Sequence, residues 1–252
     1  MVEVVTLGCR INSYESEILK EKFADVDNLV IVNTCAVTSE AERQCRQTVR
    51  KLRKEHPEAK IVVTGCAAQV NPQMFEKMPE VDLVLGNKEK AALEEYIRGD
   101  LLEKTVVGDI FSYDGYDGYL ITGFEGRHRA FVQVQQGCNH RCTYCIVPFA
   151  RGNNRSVPEE QILKQIKTLL EQGFKEICLT GVDVCSYQPS FSKLVQHILE
   201  AFPELPSLQF GSLDPAAVDD DFVALVGKYK NMLPVFHLSV QSGDNLILKR
   251  MG

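Results

Sequence analysis

The chain has 252 residues, 44% hydrophobic and 25% charged, with a formal net charge of −6 and a pI near 5.5. The length suits one large domain or two ordinary ones. The composition excludes a protein that grips nucleic acid with its whole surface. It also excludes a transmembrane helix, because no apolar run reaches the roughly 18 residues that a span requires.

The start, Met1-Val2-Glu3-Val4-Val5, lacks the basic and apolar regions of a signal peptide, so a cytoplasmic location is expected. Residues 2–7 read as a strand. Asn12 with Glu15 reads as a capping box that opens a helix to about Phe23. Residues 29–33 form a second strand, and Ser39 is expected to cap a helix to about Glu55. A third strand over 60–64, a short helix over 72–78, a fourth strand over 81–85 and a helix over 88–97 follow. This alternation predicts an α/β domain over 1–100, built on a doubly wound, mostly parallel sheet.

Residues 99–129 change character. The stretch Tyr113-Asp114-Gly115-Tyr116-Asp117-Gly118-Tyr119 is turn-rich, and residues 101–129 read as a linker. A second β/α series occupies 130–252. It has a strand over 131–135, a helix opened by a Ser156/Glu159 capping box and ended at Gly173, and a strand over 177–180. Then come a helix marked by Leu194, Val195, Ile198 and Leu199, a strand over 208–213, a helix over 219–226 and a strand over 235–240. Four β/α units do not close an eight-stranded barrel, so an incomplete partial barrel is expected.

Nine cysteines without an export signal point to metal or redox chemistry rather than disulfides. Cys138, Cys142 and Cys145 lie within eight residues, directly after a strand. Three thiolates on a four-iron cluster leave one iron open. That iron can chelate S-adenosylmethionine (SAM), and an electron from the cluster then breaks a carbon–sulfur bond to give a deoxyadenosyl radical. The alternative is a zinc site, with a fourth ligand from His140 or a distant cysteine. A second pattern is a repeat: Cys9, Cys35 and Cys66 each end an apolar strand. Parallel strands end on one edge, so the three thiols converge and would hold a second cluster. The alternative is three buried structural cysteines. Cys45 falls on the apolar stripe of its helix and Cys178 in an apolar strand, so both read as core. Cys185 lies just beyond that strand and also reads as structural. Arg43, Arg46, Arg50 and Lys54 share the outer face of the Cys45 helix, either as a solvated face or as phosphate contacts.

Gly8-Cys9-Arg10-Ile11-Asn12, Asn33-Thr34-Cys35-Ala36-Val37, Gly65-Cys66-Ala67 and the Cys138/Cys142/Cys145 motif resemble the radical SAM methylthiotransferases over the whole chain. Pro148-Phe149-Ala150-Arg151-Gly152 and Leu179-Thr180-Gly181-Val182-Asp183 are most similar to the MtaB-type tRNA enzymes. The resemblance implies two [4Fe-4S] clusters and SAM. It also implies methylthio transfer to carbon 2 of N6-threonylcarbamoyladenosine at tRNA position 37. Alternatives within the family are isopentenyladenosine in tRNA and a ribosomal-protein aspartate, and a non-enzymatic zinc-binding module is the reading from another class. Expected SAM contacts are Tyr144, Gly181, Asp183, Ser212, Gln241 and Ser242. Expected partners are the tRNA anticodon stem-loop and an electron donor such as flavodoxin or ferredoxin. Family members continue with more of the barrel and a TRAM domain, both absent from these 252 residues, so an inactive truncated member is a further alternative.

Overall fold

Three apolar runs, each leading towards a cysteine, form adjacent strands in the sheet of the first unit, from its edge strand inward. The computed structural model describes residues 2–99, 103–115 and 120–252. Its contacts divide the chain into two units, Met1–Asp117 with Cys145–Asn153, and Gly118–Tyr144 with Asn154–Gly252.

The first unit holds a five-stranded, all-parallel sheet: β1 (Glu3–Thr6), β2 (Leu29–Thr34), β3 (Lys60–Gly65), β4 (Leu83–Leu85) and β5 (Thr105–Val106), in chain order across the sheet. Helices α1 (Arg10–Lys22), α2 (Ser39–Glu55), α3 (Cys66–Val70), α4 (Pro72–Glu76) and α5 (Leu93–Arg98) alternate with the strands, and α6 (Val147–Arg151) comes from the second segment of the unit. Alternate strand residues point to opposite faces. Val30, Val32, Ile61 and Val63 pack with Cys45, Val49 and Leu52 of α2 and Phe75 of α4. Leu29, Ile31 and Val62 pack with Leu19 of α1, Phe23, and Leu93 and Ile97 of α5. Helices therefore cover both faces, as expected of a doubly wound sheet. Each fully buried aliphatic side chain contributes about 1.5–3 kcal/mol.

The second unit holds a three-stranded parallel sheet, β6 (Arg129–Gln133), β9 (Glu176–Thr180) and β10 (Ser207–Phe210), with β9 central. Short pairs β7–β8 (Gln135–Gln136, Arg155–Ser156) and β11–β12 (Ser212–Leu213, His237–Leu238) extend the loops at its carboxyl edge. Helices α7 (Glu159–Glu171), α8 (Phe191–Ala201), α9 (Asp220–Leu225) and α10 (Asn245–Met251) complete it. Phe191 and Phe222 stack with ring centres 5.7 Å apart, and Phe210 meets Phe222 edge-on. No helix among the described residues is long and apolar enough to cross a membrane.

Several local expectations are corrected. Thr38, not Ser39, caps α2, its side chain accepting from the Ala41 N–H at 3.0 Å. Ser156 does not cap α7, because it is held in a strand and Pro158 takes the capping position. The strand expected over 131–135 breaks at Val134, and the one over 208–213 breaks at Gly211. Only His237–Leu238 of the strand expected over 235–240 is paired. The stretch read as a linker contributes locally to both units. Thr105–Val106 adds the fifth strand to the first sheet, too short to show a period, and Ile121 is fully buried in the second unit with both backbone groups bonded to the Gln165 amide. Tyr116, Asp117, Gly118 and Tyr119 of the turn-rich stretch, and residues 100–102 at the expected boundary, lie outside the described residues.

The capping box expected at Asn12 and Glu15 is also corrected. Helix α1 begins three residues earlier, with extended Cys9 at its N-cap and no side-chain cap. Asn12 and Glu15 are buried within its first turns. Asn12 Nδ2 donates to the carbonyls of Leu7 (2.7 Å) and Thr34 (3.0 Å), tying together the ends of β1 and β2. Glu15 accepts from Lys90 Nζ at 2.6 Å and pairs with the Arg151 guanidinium of α6. Lys90 also donates to Asn33 Oδ1 at 3.0 Å. Burial pushes the Glu15 carboxyl up, but the charges and hydrogen bonds of Arg151 and Lys90 outweigh this and hold it at about 2, below the ordinary 4.5.

Two predictions follow from this packing. Gly65 has φ +99°, and a Cβ there would lie 2.5 Å from the Thr34 nitrogen, whereas Gly173 has φ +87° with nothing within 4 Å. Gly65→Ala is expected to lower stability in denaturant unfolding by about 3 kcal/mol or more, and Gly173→Ala by only about 1–2 kcal/mol; equal costs would contradict this packing. For Glu15, a carboxyl more acidic in the folded state stabilises fully above 4.5, and that stabilisation is lost as pH falls through about 2. The stability gap between the parent and Glu15→Gln is therefore expected to narrow from pH 4.5 to pH 2. A gap constant over that window would show that Glu15 is not ionised in the fold.

Candidate metal and cofactor sites

In the first unit, the parallel register brings three cysteines to the carboxyl edge of neighbouring strands. Cys35 follows β2 directly, Cys66 follows β3 directly, and Cys9 lies three residues beyond β1. Asn12 braces the β1 and β2 ends, and Thr34 Oγ1 braces β2 to β3 by donating to the Thr64 carbonyl at 2.6 Å and accepting from the Ala68 N–H at 3.3 Å. Gly8, at φ +105°, passes so close to Cys35 that a Cβ would lie 2.7 Å from the Cys35 Cβ. Glycine here lets the Cys9 turn close over Cys35.

The sulfurs feel one another. Burial pushes the Cys35 thiol up from its ordinary value, the N–H of Val37 opposes this, and the Cys66 and Cys9 sulfurs push it further up. The Arg151 guanidinium acts in the opposite direction. Arg151 is 2% exposed and its Nε donates to Cys66 Sγ at 3.2 Å. Its Nη2 donates to Asn12 Oδ1 at 2.5 Å. Burial disfavours the Arg151 charge, but the Cys66 sulfur and the Glu15 carboxylate outweigh it and hold the guanidinium protonated.

The other three cysteines are placed differently. Cys45, on α2, and Cys178, in β9, are fully buried. Burial pushes the thiols of Cys45 and Cys185 up to about 11, which keeps both protonated. Of the basic stripe on α2, Arg43 is bonded to Glu40 and Arg50 faces Glu80 at 3.8 Å.

In the second unit, the loop from Gly137 carries Cys138 and Cys142, both half-buried, and Cys145 opens the segment counted with the first unit. Gln135, fully buried, organises the start of this loop. Its Nε2 donates to the Gly137 carbonyl (2.6 Å) and to Asn154 Oδ1 (2.8 Å), and its Oε1 accepts the Asp183 N–H (2.8 Å). A Cβ on Gly181 would lie 2.8 Å from that Oε1, so the loop after β9 must carry glycine there. From the other side, Thr143 bonds to the Met251 and Arg250 carbonyls at the end of α10.

Of the residues expected to contact SAM, Gly181, Asp183, Gln241 and Ser242 fall in loops after strands of the second unit, Ser212 opens the short strand β11, and Tyr144 lies on the cysteine loop. Tyr144 is 55% exposed. Asp183 takes the Ser186 hydroxyl and faces His140 Nε2 at 3.3 Å. Ser212 Oγ is 2.9 Å from His237 Nδ1, Gln241 has φ +64°, and Ser242 Oγ accepts the Asp244 N–H at 3.1 Å. Ligand atoms of Cys138, His140 and Asp183 lie within 4.8 Å of one another, which keeps a mononuclear cation as a chemical alternative at this loop. Sequence reasoning quoted Asn33 and Arg151 within family-like motifs but gave neither a role, and it gave none to Gln135 or Lys90; Asn33 also stood out as a polar residue inside the run Leu29–Thr34.

Both donor sets fit iron–sulfur clusters. The first supplies three cysteines at the carboxyl edge of a parallel sheet, and the second supplies three thiols closely spaced in sequence, with Cys138 and Cys142 on the loop after β7. At the first, glycines keep side chains out of the turns, and a buried guanidinium faces a sulfur that would be anionic when it binds iron.

Residues 1–86 match the family described as "Uncharacterized protein family UPF0004", and residues 132–252 match the "Radical SAM superfamily". The chain is 46% identical to "Threonylcarbamoyladenosine tRNA methylthiotransferase MtaB" of Rickettsia prowazekii (strain Madrid E), over 99% of this chain and 61% of that protein. It is 38% identical to the protein of the same name from Aquifex aeolicus (strain VF5), over 98% and 64%. It is 33% identical to "tRNA-2-methylthio-N(6)-dimethylallyladenosine synthase" of Thermodesulfovibrio yellowstonii, over 99% and 61%. The chain thus spans about three fifths of the length of these relatives. Among solved structures, its fold is similar to the radical S-adenosylmethionine methyltransferase TsrM from Kitasatospora setae, with a TM-score of 0.66 at 16% identity, covering 95% of this chain and 53% of that one. The chain thus matches these two families in this order and is similar, along nearly its whole length, to proteins named for methylthio transfer to tRNA or methylthioadenosine synthesis in tRNA.

Proposed function

We propose that this chain carries out methylthio transfer to carbon 2 of N6-threonylcarbamoyladenosine at tRNA position 37. The observation that supports this most is the gathering of Cys9, Cys35 and Cys66 at one sheet edge, in a chain that also carries the Cys138/Cys142/Cys145 motif. One three-cysteine set serves ordinary radical SAM chemistry; a second gives the chain a place to hold sulfur. The hydrogen on carbon 2 of adenine is neither acidic nor easily displaced, which is why a radical route suits it.

When bound, two [4Fe-4S] clusters and SAM supply radical formation and a sulfur site. Cys138, Cys142 and Cys145 hold the SAM-binding cluster, and Cys9, Cys35 and Cys66 hold the sulfur-carrying one. Gln135 fixes the cysteine loop against the loop of Gly181 and Asp183. Tyr144, Gly181, Asp183, Ser212, Gln241 and Ser242 offer small or polar groups to the ribose and amino-acid parts of SAM. Asn12 and Thr34 keep three strand ends in register so that the sulfurs stay together. The partners are the tRNA anticodon stem-loop and a small electron donor such as flavodoxin or ferredoxin, in the cytoplasm.

Anaerobic reconstitution is expected to give about eight irons per chain, falling to about four when either cysteine set is changed to alanine. Zinc at the Cys138 loop, the outcome that the cluster of Cys138, His140 and Asp183 would favour, would contradict the radical reading. With SAM and a reductant, the parent is expected to release deoxyadenosine and to add a methylthio group to unmodified threonylcarbamoyladenosine tRNA, as read by nucleoside mass spectrometry. The Cys9/Cys35/Cys66→Ala variant should keep the first activity and lose the second. Methylthiolation of isopentenyladenosine tRNA or of a ribosomal-protein aspartate instead would overturn the substrate assignment.

A further inference from the structure

Arg151 sits in a short helix with no metal-ligand pattern of its own, yet it is among the largest fully buried side chains of the protein. A guanidinium is costly to bury, and it is tolerated only where its donors meet strong acceptors. Here those acceptors are of two kinds. On one side are Glu15 and Asn12 of α1; on the other, 3.2 Å from Nε, is the Cys66 sulfur. Glu15 and Asn12 orient the fork, and the Nε–H is aimed at a cysteine of the first donor set. Lys90 bonds to the same Glu15 and brings a second positive charge behind it. Hydrogen bonds to sulfur and nearby charge are the protein's main means of tuning an iron–sulfur centre.

We infer that Arg151 is a positioning residue for the centre at Cys9, Cys35 and Cys66: through its N–H to Cys66 and its buried charge, it stabilises the reduced, more negative state of a cluster held there. The inference rests on the cluster reading of the previous section. Removing a positive charge at Arg151 disfavours an added electron, and removing the negative charge at Glu15 favours it. The two substitutions therefore shift the reduction midpoint in opposite directions, which a general loosening of the fold does not do.

The test uses the full chain with Cys138, Cys142 and Cys145 changed to alanine, so that one centre remains. Iron content is measured first. About four irons with a cubane signal upholds the cluster reading, and no bound iron sinks that reading and this inference with it. The midpoint is then followed by redox titration with electron paramagnetic resonance. Arg151→Gln is expected to lower it, Glu15→Gln to raise it, and Arg151→Lys, which keeps the charge, to lie between Arg151→Gln and the parent. If Arg151→Gln does not fold, Glu15→Gln and Arg151→Lys still decide the matter. Midpoints unchanged in the folded variants, or moved in the same direction by Glu15→Gln and Arg151→Gln, would overturn the inference while leaving the cluster reading intact.

Discussion

Parallel pairing of β1, β2 and β3 imposes one constraint on which the first site depends: all three strands must end at the same edge, at matched heights. The register sets this, pairing Thr6 with Asn33 and Thr34 with Gly65. Side chains then lock the ends together. Asn12 spans two strand ends from within a helix, and Thr34 spans two from within the sheet. Cysteines that are 26 and 31 residues apart in sequence become neighbours because the backbone hydrogen bonds leave no other arrangement. The glycines before Cys9 and Cys66 belong to the same device, since both take positive φ where the chain turns out of the sheet.

Behind that edge lies a polar group that works against stability considered alone. Glu15, Lys90, Asn33, Asn12 and Arg151 are all buried and bonded to one another. Removing one partner of such a buried pair costs about 3–5 kcal/mol, while an apolar replacement of the whole group is often neutral or stabilising. A group of this kind at the base of three cysteines is accounted for by what it does to them: it fixes the turns and directs a positive charge at a sulfur. It also ties α6, which follows the Cys138/Cys142/Cys145 motif in sequence, into the first unit.

The six cysteines stood out in the sequence because each signal is local: a cysteine at or shortly after the end of an apolar strand, three times, and a tight triple after a strand of the second unit. The sheet type and the helix faces were legible through their periods, as Cys45, Val49 and Leu52 illustrate. Other features were not, for physical reasons. Asn12 and Glu15 have the spacing of a capping box, and the same spacing also serves two inward-facing residues in the first turns of a helix that begins earlier. Which applies depends on Cys9, whose extended backbone supplies the cap. Arg151 and Gln135 gain their roles only from partners far along the chain, at Glu15 and Asp183, and no local pattern encodes a long-range contact. Thr105–Val106 is too short for periodicity to reveal as a strand and exists because β4 offers an edge to pair with.

Cys9, Cys35 and Cys66 are proposed to act as one metal centre independent of the Cys138 loop. The most direct measurement is iron X-ray absorption on the reconstituted chain with Cys138, Cys142 and Cys145 changed to alanine. The account predicts sulfur-only coordination with iron–iron scattering, the signature of a cluster on this edge alone. Iron bound through nitrogen and oxygen without iron–iron scattering would mean that the three strand-end cysteines do not form a cluster site, and would contradict it.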